Sequence, residues 1–305
     1  MRGATVKYFQ IDSHFFLINL DQKIEGFRDF ISSWLYMNDD MTFLVDPGPS
    51  SSIDVLKEIL EKIGVKALDY ILLTHIHIDH AGGTGKLLAS FPGAKVLCHP
   101  KGIEHLINPA KLWKGSLTVL GEIARAYGEI FPVPGGSIFF EKIIKKKNRR
   151  IEVIETPGHA FHHLSYVFNH YLFAGEVAGV YHPLPDKIYM RPATPPRFDL
   201  DTSLSSLEKI MAKKPETICF GHYGFHKDAL RILLSAREQL LLWTELIKGQ
   251  SPREGENWEN KVIEKLMEKD KKFSNFQYLE KDIQKRERYF LTNSLNGIME
   301  YLIGR

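Results

Sequence analysis

Hydrophobic positions along this chain switch between two periods, and the switches lay out the elements. Residues 4–20 and 30–45 are dense in Phe, Ile, Leu and Val and read as strands; the second runs into the turn Asp46-Pro47-Gly48. An amphipathic helix follows. Ile53, Leu56, Leu60 and Ile63 make its stripe, Ser51-x-x-Asp54 is a candidate capping box, and Gly64 closes it. Residues 68–74 form the next strand, Gly83 to Ser90 a short helix, Ala94 to Cys98 a strand, and 101–128 a helical stretch. Strands are expected at 137–144 and 151–155, with the basic run 145–150 as a solvated hairpin tip or a phosphate-binding loop between them. Two strands fold around Asn169-His170 within 164–178, and the proline-rich stretch 182–198 reads as a long ordered loop. A helix from Ser203 to about Lys213 and a strand from Thr217 to Phe220 complete this part. After His226 the pattern becomes helical, with charged outer faces at 227–248, 258–270 and 279–303. This order predicts an α/β protein with residues 1–226 as one domain and 227–305 as a helical extension.

The chemistry concentrates where one strand ends. His75, His77, Asp79 and His80 fall within six residues, between the apolar run Tyr70 to Leu73 and the pair Gly82-Gly83. Alternation along a strand sends His75 and His77 to one side, and leaves Asp79 and His80 beyond the end to reach a second position. Imidazole and carboxylate are ligands for zinc, iron and manganese.

This run resembles the His-x-His-x-Asp-His signature of the metallo-β-lactamase superfamily. Thr74 before it and Gly82-Gly83 after it look like the branches that include glyoxalase II and the lactonases. The resemblance covers roughly residues 5–226. It implies an αββα sandwich of two mixed sheets flanked by helices, and two divalent ions, zinc with iron or manganese as alternatives. It implies further ligands at His159, in Thr156-Pro157-Gly158-His159, and at His222, in Cys219-Phe220-Gly221-His222. The bridging place departs from the usual aspartate: Phe173-Ala174-Gly175 is followed by Glu176, one methylene longer. The alkylsulfatase branch resembles this chain in that respect. Asp46 resembles the aspartate that steadies the ligand loop, with simple turn formation as its alternative.

The implied activity is hydrolysis by a hydroxide held between the metals, with Asp79 binding metal and orienting it. A small-molecule thioester, ester or lactone is the expected substrate. A phosphodiester or a sulfate ester is the alternative within the hydrolases. An iron-dependent sulfur dioxygenase and a non-catalytic metal scaffold are alternatives of other classes. The large insertion of the RNA-processing branch is absent, which argues against nucleic acid. His162 and His163 lie on opposite faces of a strand, and one of them is a candidate to support a ligand. Tyr181, His182, Arg191 and Tyr223 lie on candidate active-site loops, with packing as the alternative. His14, His99, His105, His170 and His226 read as structural.

Composition adds bounds. The chain has 305 residues, 44% hydrophobic, with a net charge of +3, too small to argue for nucleic acid or a membrane surface. Two cysteines make no disulfide framework, and a reducing cytosol is expected. Residues 14–20 are too short an apolar run for a secretory signal, and no run nears the roughly 20 residues of a membrane span. The stretch 240–247 is apolar on most sides. It is expected to pack on the sandwich, with a homodimer interface or a lipid-like substrate cleft as alternatives.

Overall fold

The computed structural model describes residues 7–248, 250 and 258–304; residues 4–6 of the first expected strand lie outside them. The first sheet begins as an antiparallel meander of β1 (Lys7–Asp12), β2 (Phe15–Asn19), β3 (Ser32–Met37) and β4 (Thr42–Val45). α1 (Ile53–Ile63) then crosses over to β5 (Tyr70–Leu72), parallel to β4. α2 (Ile78–Ala81) and α3 (Thr84–Ser90) lead to β6 (Lys95–Leu97). α4 (Pro100–Ile107), α5 (Ala110–Leu120) and α6 (Glu122–Tyr127) lead to the edge strand β7 (Ile138–Phe139).

The second sheet takes β8 (Ile143–Lys146), β9 (Arg149–Glu155), β10 (Leu164–Phe168) and β11 (Tyr171–Gly175) as antiparallel neighbours. A separate hairpin, β12 (Val180–Pro183) with β13 (Ile188–Arg191), precedes α7 (Leu200–Met211). β14 (Thr217–Phe220) then returns parallel to β11, and β15 (Phe225–His226) closes the edge. α8 (Ala229–Ile247), α9 (Trp258–Lys269) and α10 (Lys281–Ile303) follow.

Period-two alternation separates three cores. Along β2, Phe15 and Leu17 face the second sheet while Phe16 and Ile18 face the helices α1, α3 and α6; Phe43 and Val45 against Leu44 repeat this on β4. The inner core is completed from the second sheet by Val153, Tyr166, Phe168 and Phe173. Leu172, Ile218 and Phe220 point the other way, into a core shared with α7, α8, α9 and α10. Helix, sheet, sheet, helix is therefore the layer order. Cys98 and Cys219 are free and sit in different cores.

Three local expectations change. The stretch 182–198 contains strand β13, which pairs with β12 from Val180↔Arg191 to Pro183↔Ile188; its prolines fall at the ends of the pairing, where no ladder donor is lost. The capping box does not form, because a 3-10 turn at Ser50–Ser52 precedes α1: the Ser51 hydroxyl donates to Gln22 and Asp54 pairs with Lys86 at 2.8 Å. The basic hairpin of β8 and β9 is partly neutralised, since Lys146 pairs with Asp69 and Lys147 with Asp40.

The 240–247 stretch packs inward through Leu240, Trp243, Thr244 and Ile247, as expected. The Trp243 indole N–H donates to Asp270 at 2.8 Å. No helix among the described residues is long and apolar enough to cross a membrane.

Candidate metal centre

The parallel strands end at one edge of the sandwich, and the ligand loops leave from there. The Leu164 amide donates to the Thr74 carbonyl at 2.6 Å, and the Tyr166 hydroxyl donates to the Leu73 carbonyl, so the two sheets are tied where the first loop begins. After Thr74 the chain turns into α2, which carries Asp79 and His80. His159 follows β9, Glu176 follows β11 and His222 follows β14.

These seven side chains gather in two groups. His75, His77, His159 and Glu176 form one, and Asp79, His80 and His222 the other. In the first, His77 Nδ1 lies 3.0 Å from His75 Nε2 and 3.1 Å from His159 Nε2. In the second, His80 Nε2 lies 3.3 Å from His222 Nε2. Glu176 joins them: Oε2 is 2.9 Å from His159 Nε2 and 3.5 Å from His80 Nε2, and Oε1 is 3.5 Å from His222 Nε2. Asp79 Oδ2 is 3.7 Å from His80 Nε2 and 3.5 Å from His222 Nε2.

The outward nitrogens explain the inward ones. The Thr74 hydroxyl gives its proton to Asp46 Oδ2 at 2.6 Å, so it accepts from His75 Nδ1 at 3.0 Å. His159 Nδ1 donates to the Ala193 carbonyl, His222 Nδ1 to the Phe30 carbonyl, and His80 Nδ1 to Asp46 Oδ2. In their neutral form, rings held this way present bare lone pairs to one another across the site. Facing lone pairs repel unless a cation lies between them. The spacing fits one, because donors about 2.05 Å from a tetrahedral zinc are about 3.3 Å apart. The donor set, imidazole and carboxylate without thiolate, is accepted by zinc, iron and manganese alike.

Electrostatics points the same way. Burial holds His75 well below its ordinary pKa and takes His77 down to about 3, with neighbouring imidazoles adding to both shifts. Burial opposes charge on His80 and His159 too, but there the carboxylates prevail. Asp79 and Asp46 raise His80 well above its usual value, and Glu176 raises His159. Against burial, His159 and His222 keep Glu176 well below the carboxylate range. The site pulls in positive charge, which is what a divalent ion supplies.

Asp46 sits at φ 51, and its carboxylate accepts from the Thr74 amide, the Thr74 hydroxyl and His80. His162 and His163, expected on a strand, lie instead in the turn just before β10, and His163 supports Glu176: its Nε2 accepts the Glu176 amide at 3.0 Å, and its Nδ1 donates to the Thr156 hydroxyl at 2.9 Å. Gly175 makes this approach possible, since a Cβ there would lie 2.5 Å from that Nε2. His162 is buried beside His77, with ring centroids 5.9 Å apart.

Other loop candidates have other partners. Arg191 is buried in an ion pair with Glu287, Tyr181 stacks on Phe220, and Tyr223 is half-buried beside Asp29. The buried His182 Nδ1 has no partner among the described residues. Several contributors left no mark in the sequence. The carbonyls of Ala193 and Phe30 are backbone groups, with no side-chain signature. Phe30 stacks on His222 at 4.1 Å, and the guanidinium of Arg286 covers its ring, also at 4.1 Å. Arg286 and Glu287 belong to a charged helix that reads as solvent-facing, yet both are buried.

The metallo-beta-lactamase superfamily model matches residues 26–222. A metallo-beta-lactamase fold-containing protein of Sulfurisphaera tokodaii is 31% identical over 228 residues, covering 70% of this chain and 82% of that protein. The hydroxyacylglutathione hydrolase of Buchnera aphidicola is 29% identical over 144 residues, which is 47% of this chain and 45% of that enzyme. A crystal structure of an archaeal metallo-beta-lactamase superfamily protein from Sulfolobus tokodaii superposes with a TM-score of 0.69 at 23% identity, over 93% of this chain and 98% of that one. With nearly two thirds of its length matched by the family model and its layers shared with a solved member, the chain belongs to the metallo-beta-lactamase superfamily and is a metal-dependent hydrolase.

Proposed function

We propose that the chain is a dinuclear hydrolase of a thioester, ester or lactone, with zinc as the resident ion. The observation that carries this reading is the Glu176 carboxylate, within 3.5 Å of imidazoles in both ligand groups. In this reading His75, His77 and His159 hold one ion, Asp79, His80 and His222 hold the other, and Glu176 is shared. Two divalent ions there would supply a water of lowered pKa and a Lewis acid for the substrate oxygen. Asp79, less buried than Glu176, accepts a proton from the attacking water and orients it. Asp46 and the Phe30 and Ala193 carbonyls fix the tautomers that keep ligand nitrogens free. The helices after residue 226 form an extension of the catalytic domain that walls its substrate side.

Two considerations favour a carbonyl substrate. One relative is named a hydroxyacylglutathione hydrolase, although the chain spans less than half of it. The nearby arginines Arg191 and Arg286 are both committed to Glu287, so neither is free to clamp a phosphodiester or sulfate.

The test is a panel of thioesters, lactones, aryl esters, phosphodiesters and sulfate esters on protein of known metal content, with and without chelator. Chelator-sensitive cleavage of a carbonyl substrate is expected. Cleavage confined to phosphate or sulfate esters, or cleavage that survives complete metal removal, would overturn the reading.

A further inference from the structure

One residue clamps His222 in two ways. The His222 Nδ1 donates to the Phe30 carbonyl at 3.2 Å, and the Phe30 ring stacks on its face, with centroids 4.1 Å apart and planes 15° from parallel. The loop that delivers Phe30, residues 26–30, is fastened to the start of α10. Arg28 pairs with Asp282 and, at 2.6 Å, with Glu280. Gly26 lies so close to α10 that a Cβ there would collide with the Asp282 carbonyl. Arg286 adds two ties, because its Nη1 donates to the Gly26 carbonyl at 2.7 Å and to the Arg28 carbonyl at 3.2 Å. Its guanidinium also lies 4.1 Å from the centre of the Phe30 ring. One ring face has room for a single planar group at that distance, so Phe30 is sandwiched between Arg286 and His222.

We propose that Arg286 is a positioning residue for the metal centre: acting through Phe30, it sets the pose of His222 and so the affinity of the Asp79, His80 and His222 group for its ion. The proposal rests on the dinuclear reading above. Arg286, Phe30 and His222 are all buried, so the stack is not loosened by solvent. A guanidinium is attracted to the face of an aromatic ring, and its flat fork bonds carbonyls in the same stroke. Fold stability alone is a weak reason to place this residue here, because a buried ion pair stabilises little more than apolar side chains of similar volume. The neighbouring Glu287 is shared: Arg286 Nε and Nη2 each lie 3.0 Å from its Oε1, and Arg191 Nε lies 2.6 Å from its Oε2. Glu287 therefore keeps a partner when Arg286 is replaced. The C-terminal helix thus becomes part of what holds an ion, although it contributes none of the seven candidate ligands.

Chelator competition on the zinc-loaded full chain tests this. Arg286→Met keeps the length of the side chain and removes its charge and donors. One of the two zinc steps should weaken roughly tenfold, and it should be the step that His222→Ala abolishes. The other step should stay in place. Arg286→Lys restores a cation over the ring without the fork, and should recover part of the loss. Tyr189→Phe removes the 3.1 Å bond from the Tyr189 hydroxyl to Glu287, loosening the same helix without touching Phe30. It should lower the melting temperature and move neither step. Unchanged steps in Arg286→Met, equal weakening of both, or the same loss in Tyr189→Phe would overturn the proposal. If Arg286→Met does not fold, Phe30→Leu decides: it keeps the carbonyl and removes the ring, and an unmoved His222 step would overturn the role of the stack. A wild type that binds a single ion would sink the dinuclear reading by itself. The proposal would then stand only if His222→Ala and Arg286→Met both weaken that ion.

Discussion

The two candidate ligand groups are built from similar side chains but held by different means. In the first, the outward nitrogens of His75 and His159 meet neutral partners, the Thr74 hydroxyl and the Ala193 carbonyl. In the second, His80 leans on the Asp46 carboxylate, while His222 has a backbone carbonyl on its edge and the Phe30 ring on its face. Phe30 is in turn held by Arg286 of α10, whose partner Glu287 also binds Arg191 of β13. One group thus depends on the strand ends and the loop before α7, and the other on a carboxylate and the C-terminal helix. A carboxylate behind an imidazole raises its basicity more than a hydroxyl does. The second group should therefore respond more to changes outside the ligand set.

The comparison breaks most completely at Glu176, whose carboxylate lies within 3.5 Å of imidazoles in both groups. Glu176→Ala should lower metal content in both groups and bring turnover down to that of chelated protein, as read by elemental analysis alongside kinetics. Loss from one group alone would show that Glu176 belongs to that group. A smaller effect should separate the groups. Asp46→Asn keeps the backbone at φ 51, which asparagine tolerates, but it removes the carboxylate behind His80. We expect one ion to bind roughly 10–100-fold more weakly by chelator competition, with the other little changed. Equal weakening of both would mean that Asp46 acts by holding the whole loop through Thr74.

The smallest effect concerns pH. Burial, then repulsion from His159 and His99, takes His162 down to about 4. Its folded pKa lies below its unfolded one, so its contribution is fully present above about pH 6.5 and is lost as pH falls toward about 4. In protein stripped of metal, His162→Gln should flatten that acid limb in urea titrations. An unchanged limb would remove His162 from the account.

Much of the site is legible along the chain because its chemistry is local. His75, His77, Asp79 and His80 are neighbours in sequence, and the turns before His159 and His222 carry proline or glycine. The parts that hold these ligands are less legible. A carbonyl acceptor such as Ala193 leaves no residue type to find. Arg286 and Glu287 follow the charged pattern of a solvated helix, and burial suits them because Arg191 arrives from a strand about a hundred residues earlier. The hairpin of β12 and β13 hid behind its prolines for a similar reason, since pairing partners decide which backbone donors are missed.

By itself the sequence determined most of the elements and the candidate ligand types, because periodicity and turn residues act over a few positions. The tertiary structure alone decided which lone pairs face each other and which backbone carbonyls, those of Ala193 and Phe30, hold the outward nitrogens. Those outcomes depend on distances between segments far apart in the chain, and sequence pattern carries no such distances.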